Sequence, residues 1–151
     1  MAGTKLIVDN RKSRFEYELL DKFEAGLQLV GSELKSIRAG QVNLKDSYVS
    51  FIRDEAFLQS AHISAFEASS YNNHEPERLR KLLLHREEID RLQAVIKEKG
   101  LSLIPTKMYF KNGKVKIEIA LGRGKKMGDK RESIKTRDAK KEMARQLKKS
   151  R

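Results

Sequence analysis

The sequence predicts a mainly β domain of the α+β class over residues 1–122, followed by a basic tail over 123–151. Three observations predict it. Short alternating runs bounded by turn residues fill most of the chain, the signature of half-buried strands. Only two stretches, Gly31–Gly40 and Arg86–Lys99, carry clear helical signals before the tail. The charge is also segregated. From Arg123 to Arg151 there are 13 Lys or Arg against 4 Asp or Glu, while the first 122 residues hold 20 against 17.

The elements follow in order. Phe15–Leu19 alternates, and Leu27–Val30 follows Gly26. In Gly31–Gly40, Ser32 is the expected N-cap, and Lys35 and Arg38 suit the negative end of the helix dipole. Ser47–Arg53 turns through Asp54-Glu55 into Ala56–Gln59. In Arg86–Lys99, His85 is a weak N-cap with Glu88 three residues on. Ile89, Leu92, Val95 and Ile96 form its apolar face, and Gly100 stops it. Ser102–Lys111 and Lys114–Leu121 flank Asn112-Gly113, a strong two-residue hairpin signal. Pro105 has no N–H to give a ladder, which predicts an edge or a bulge there. Short strands, glycine-marked bends and two helices suggest a small closed barrel, with the oligonucleotide-binding barrel leading. The tail is poor in large apolar residues, so coil is expected in isolation. From about Arg131 its good helix formers allow a helix once an anionic partner compensates the ordering entropy.

A net charge of +12 calls for a polyanionic partner. Membrane spanning is not expected, because no apolar run exceeds three residues and a helix crossing needs roughly twenty. Met1–Asp9 shows no secretory signal, and there are no cysteines, which together suit the cytosol. No metal site or cofactor is expected: His62, His74 and His85 lie on different elements without metal-ligand spacing. Gly122–Lys126 lacks the glycine spacing and hydroxyl of a phosphate loop, and no Gly-x-Ser-x-Gly elbow occurs. No catalytic constellation assembles, so an enzyme is not expected.

RNA-suited features are denser. Asn10, Arg11, Lys12 and Arg14 group three cations with an amide, although a solvated surface cluster reads equally well. Asn73 and His74 sit in a polar loop, followed by Arg78, Arg80 and Lys81. Aromatic residues at positions such as Tyr48, Tyr71 and Tyr109 can stack on unpaired bases. Core packing is the expected role of Phe51, Phe57 and one of Tyr109 and Phe110.

Several strings together resemble the small protein B family, also called the SsrA-binding protein family, which binds tmRNA. They are Asn10–Tyr17, Phe23–Gly26, Gly31–Gly40, Asn43–Tyr48, Arg80–His85, Lys114–Lys116, Gly124–Lys126 and Asp129–Arg131, in that order along nearly the whole chain. The resemblance implies an oligonucleotide-binding barrel that grips the tRNA-like domain of tmRNA. It also implies a non-enzymatic adaptor, binding as a monomer, that delivers this RNA to stalled ribosomes. By position, Asn10, Glu24, Leu83 and Lys114 match residues associated with RNA binding. Gly124, Lys125, Lys126, Asp129, Lys130 and Arg131 match the tail segment that acts in the decoding site and mRNA channel of the small subunit. Glu24 repels phosphate, so it either accepts from a base or 2′-OH or forms a structural ion pair. Leu83 either covers a base or fills the core. Where many family members carry His or an aromatic before Asp-Lys-Arg, this chain has Gly128, which removes stacking there. The alternative is a ribosomal protein or another translation factor with a small RNA-binding barrel.

Overall fold

The computed structural model describes residues 4–65 and 73–124. Its elements are β1 (Thr4–Asp9), α1 (Arg11–Glu16), β2 (Tyr17–Leu27), α2 (Gly31–Arg38), β3 (Val42–Asn43), β4 (Tyr48–Ile52), β5 (Glu55–Gln59), β6 (His62–Ile63), β7 (Arg80–Leu83), α3 (Arg86–Lys99), β8 (Ser102–Lys111) and β9 (Lys114–Gly124). Seven strands form one antiparallel sheet in the order β1-β8-β9-β2-β7-β5-β4, and β3 pairs with β6 apart from it.

The β8–β9 hairpin turns at Asn112-Gly113 as the dipeptide requires. Both residues take positive φ, 54° and 74°, which fits the twist of the flanking strands. The β4–β5 turn falls on Arg53-Asp54, one residue earlier than expected, again with both φ positive. Pro105 sits where the sequence expected an irregularity: the β8–β9 register shifts between Pro105 and Lys107. β1 joins the opposite side of β8 only from Lys107 onward, so Pro105 has no ladder partner to disappoint on that side.

The inner face of the sheet holds the core. Ile117, Ile119, Met108, Leu58 and Ala56 are fully buried, with Leu82 and Leu103 nearly so. α3 packs on this core through Leu92, Val95 and Ile96. Its start is capped as expected, Glu88 Oε1 accepting the His85 N–H at 3.1 Å, and Gly100 ends it at φ +64°. α2 buries Ile37 and Ser36.

Three expectations are corrected. Phe15 and Glu16 belong to the short helix α1 rather than to the expected strand, and β2 begins at Tyr17. β1 and β7 are strands that local pattern did not announce. The N-cap of α2 is Val30: Glu33 Oε1 accepts its N–H at 2.9 Å, and Ser32 lies inside the first turn. The sheet curls so that β4 lies against β8, but no hydrogen-bonded ladder joins them among the described residues. The sheet thus curls toward the expected barrel, with a seam between β4 and β8.

Asn10 secures the corner where β1 leaves the sheet. Its backbone N–H donates to Thr106 O at 2.8 Å, and its side-chain Nδ2 donates to Pro105 O at 2.8 Å. Its own C=O accepts from the Ser13 hydroxyl at 2.6 Å. Replacing Asn10 by alanine strands the Pro105 carbonyl in a buried position. The expected loss is about 1–3 kcal/mol of stability in urea unfolding, and an unchanged midpoint would show that water satisfies that carbonyl.

Candidate nucleic-acid interface

Cross-strand partners in a sheet share a face, so register alone assigns neighbours. Leu6 is opposite Tyr109, Tyr109 opposite Lys116, Lys116 opposite Gly26, and Gly26 opposite Leu83. These five residues form one row across β1, β8, β9, β2 and β7. At about 4.8 Å between strands the row spans about 19 Å. Inner-face neighbours such as Met108, Val115, Ile117, Ala25 and Leu82 are buried, so the row looks outward.

The row ends in two exposed apolar side chains, Leu6 at 57 % and Leu83 at 53 %. Gly26 lies against Leu83: a Cβ at position 26 would make ordinary contact, 3.4 Å, with the Leu83 side chain. Beside the row on one side stand Lys111 and Lys114, cross-strand partners at the hairpin mouth. On the other side stand Glu24, Glu118 and Lys107, also in register.

Glu24 is held rather than free. Its carboxylate accepts from the Tyr109 hydroxyl and from Lys111 Nζ at 3.3 Å. The Tyr109 bond, with Lys111 and Lys116 nearby, keeps the Glu24 carboxyl below the usual range against the opposing effect of burial. Burial and the Glu24 charge push the Tyr109 phenol up, so it stays a neutral donor. Glu24 therefore fixes the ring at the centre of a cationic, apolar-edged surface. Rings, aliphatic ends and Lys heads in one plane are the parts that bases and phosphates need.

The structure brings Glu24, Leu83 and Lys114 onto this one face. It places the other candidates read from the sequence elsewhere. Arg11 is exposed on α1, 3.9 Å from Asp9. Lys35 and Arg38 are carried on α2, away from the row, and Asn73 is exposed in its loop, its Oδ1 accepting the His74 N–H at 3.3 Å. Asn10 is 5 % exposed and holds the β8 corner.

Two further candidates are buried. Arg80 has no exposed surface. It donates to Glu33 Oε2 at 2.6 Å, Ala61 O at 2.8 Å and Pro76 O at 2.9 Å, so it has no donor face to offer RNA. His74 is buried between Ile63 O and Ser32 Oγ, each 2.8 Å from a ring nitrogen. A carbonyl only accepts, so Nε2 carries a proton. Both residues pin α2 and the loop before β7 to the core.

Sequence reasoning missed Leu6, Tyr109 and Lys116 as parts of one surface. Alternation in Lys114-Val115-Lys116-Ile117-Glu118 puts its three charges on one face and signals Lys116. Nothing local signals that Leu6 lies beside Tyr109. Phe110 packs against the core while Tyr109 faces out, and Phe51 packs inward as expected. Phe57, opposite Lys81 and Ser50, stands on the outer face instead. Gly124 is the last residue of β9, paired with Tyr17, so the strand runs two residues past the expected boundary. Lys125, Lys126, Asp129, Lys130 and Arg131 lie outside the described residues.

A family model described as "SmpB protein" matches residues 7–149. The chain belongs to the SmpB family. An SsrA-binding protein of Bdellovibrio bacteriovorus is 55 % identical over 152 residues, covering 100 % of both chains. One from Syntrophobacter fumaroxidans is 55 % identical over 148 residues, covering 98 % of this chain and 92 % of the relative. A chain from a solved structure described as "tmRNA-SmpB: a journey to the center of the bacterial ribosome" superposes with a TM-score of 0.68. It is 41 % identical, with 84 % of this chain and 93 % of that one covered. Among the described residues no helix is long and apolar enough to cross a membrane, and no group of His, Asp or Glu has metal-binding geometry.

Proposed function

We propose that this SmpB-family chain is a non-enzymatic adaptor that binds the tRNA-like domain of tmRNA and delivers it to stalled ribosomes in the bacterial cytoplasm. The observation that carries the binding half is the row Leu6–Tyr109–Lys116–Gly26–Leu83 with Lys111 and Lys114 beside it. The lysines neutralise phosphates. Tyr109, Leu6 and Leu83 offer faces on which unpaired bases or riboses rest. Glu24 orients Tyr109, and the second oxygen of its carboxylate serves a 2′-OH or a base N–H. Family membership and a solved relative bound up with tmRNA and the ribosome support the delivery half.

The tail is the second surface in this reading. Residues 125–151 carry 12 Lys or Arg against 4 Asp or Glu, enough charge to follow a ribosomal RNA channel. The Gly124–Lys126 and Asp129–Arg131 strings act in the decoding site, with Gly128 leaving that position to backbone contacts. Because β9 ends at Gly124, truncation there keeps every strand of the described residues. The chain ending at Gly124 is expected to unfold cooperatively and to bind tmRNA with at most a modest loss, while tagging on stalled ribosomes in a purified translation system fails. Tagging at the full rate without the tail would remove the tail from the mechanism.

A further inference from the structure

The seam in the sheet is a second place where RNA chemistry is assembled. β8 is laddered to β9 along its length, but its other side meets β1 only from Lys107. β4, the last strand of the sheet, comes up to the uncovered half of β8 without pairing. Between them opens a cavity of about 500 Å³, lined among others by Tyr17, Tyr48, Ser50, Phe51 and Ser102.

Its walls are tied in place. Tyr17 lies against Gly122, where a Cβ would come within 3.2 Å of its side chain, and Gly122 is opposite Ser102. The Tyr48 hydroxyl donates to Gln59 Oε1 at 2.7 Å. Two acidic residues of the lining, Asp46 and Glu16, are bridged by Lys12 at 2.7 and 3.9 Å. That lysine is thus neutralised, and phosphate gains nothing by entering. Aromatic rings, hydroxyls, acceptor carboxylates and unpaired strand edges instead match a planar ligand rich in N–H donors. The volume lies within the range of small-ligand pockets, about 300–1,000 Å³.

We propose that this seam takes one unpaired nucleobase bearing an exocyclic amine, turned out of an RNA partner with its phosphates left at the rim. The proposal rests on the reading that the chain binds RNA but uses no residue of the outward row. The base comes from tmRNA or from ribosomal RNA, two sources of the same chemistry.

The test uses the full-length chain. Titration with AMP, CMP, GMP and UMP, followed by amide NMR, is expected to shift Ser50, Phe51, Ser102 and Leu103, with UMP weakest. Tyr48→Ala is expected to weaken the AMP response by roughly fivefold or more, as removal of one base–aromatic stack does. Tyr48→Phe, which keeps the ring and the fold, stays within about twofold of the native chain on the same stacking argument. Shifts confined to Lys111, Lys114 and Lys116, or no shift with any nucleotide, overturn the pocket. Either leaves the adaptor reading standing if the same sample still shifts tmRNA in a gel. A photoreactive phenylalanine in place of Tyr48 then separates the sources: a cross-link to tmRNA or to ribosomal RNA supports the proposal and names the donor. A cross-link to ribosomal protein alone overturns it in favour of an added peptide strand.

Discussion

Replacing Lys116 by glutamate is expected to lower tmRNA affinity by roughly ten- to a hundredfold at moderate salt. Lys116 stands at the centre of the row, with Tyr109 on one side and Gly26 on the other. The reversal removes one phosphate partner and adds a negative charge beside Glu24, whose carboxylate stays ionised. The slope of log K against log salt should flatten by about 0.7–0.9 for each phosphate no longer neutralised. The fold should not suffer, because Lys116 projects outward between buried Val115 and Ile117. Leu83→Asp, at the end of the row, is expected to weaken binding without relying on a lysine, since it replaces an apolar surface with a repelling charge. Gel-shift titrations at three salt concentrations, with thermal melts as control, check both variants. Native affinity and slope in K116E would remove the row from the interface.

Replacing Glu33 by alanine is expected to cost about 3–5 kcal/mol of stability. Glu33 and Arg80 are both fully buried, and Glu33 also takes Arg78 Nη2 at 2.7 Å and the Val30 N–H at 2.9 Å. Alanine leaves the Arg80 charge inside with only carbonyls for company. The loss falls on the interactions that tie α2 to β7 and to the loop before it. A pH dependence follows from the same group. Burial raises the Glu33 carboxyl, but Arg78, the Val30 amide and Arg80 together hold it below its ordinary 4.5. A depressed folded value means the stabilisation is complete above about pH 4.5 and is lost as pH falls through the lower folded value. The native chain should therefore lose stability in that acid window more steeply than E33A. Urea unfolding between neutral pH and about pH 3 reads the difference, and equal slopes would show that Glu33 is not the group responsible.

The legible parts of this fold were those whose cause is local. Asn112-Gly113 dictates its hairpin by backbone chirality, and His85, Glu88 and Gly100 bound α3 within its own sequence. Pro105 announced its irregularity through a missing N–H. What stayed hidden is non-local. Arg78-Leu79-Arg80-Lys81 reads as a basic loop because nothing nearby shows that Arg80 answers Glu33, 47 residues earlier. Likewise Ser32 looks like an N-cap until His74 claims its hydroxyl. The candidate site divides in the same way. Glu24, Leu83 and Lys114 came from the family resemblance, while Lys116 was open to strand alternation alone. Leu6 and Tyr109 become neighbours only through the β1–β8 register, with more than a hundred residues between them in sequence.

The most direct test of the adaptor reading is a gel-shift titration of the full chain against tmRNA, with tRNA and an unstructured RNA of equal length as competitors. The expected result is tight binding to tmRNA that survives an excess of either competitor. Equal affinity for all three RNAs would contradict it, reducing the outward row to a basic surface without a preferred RNA.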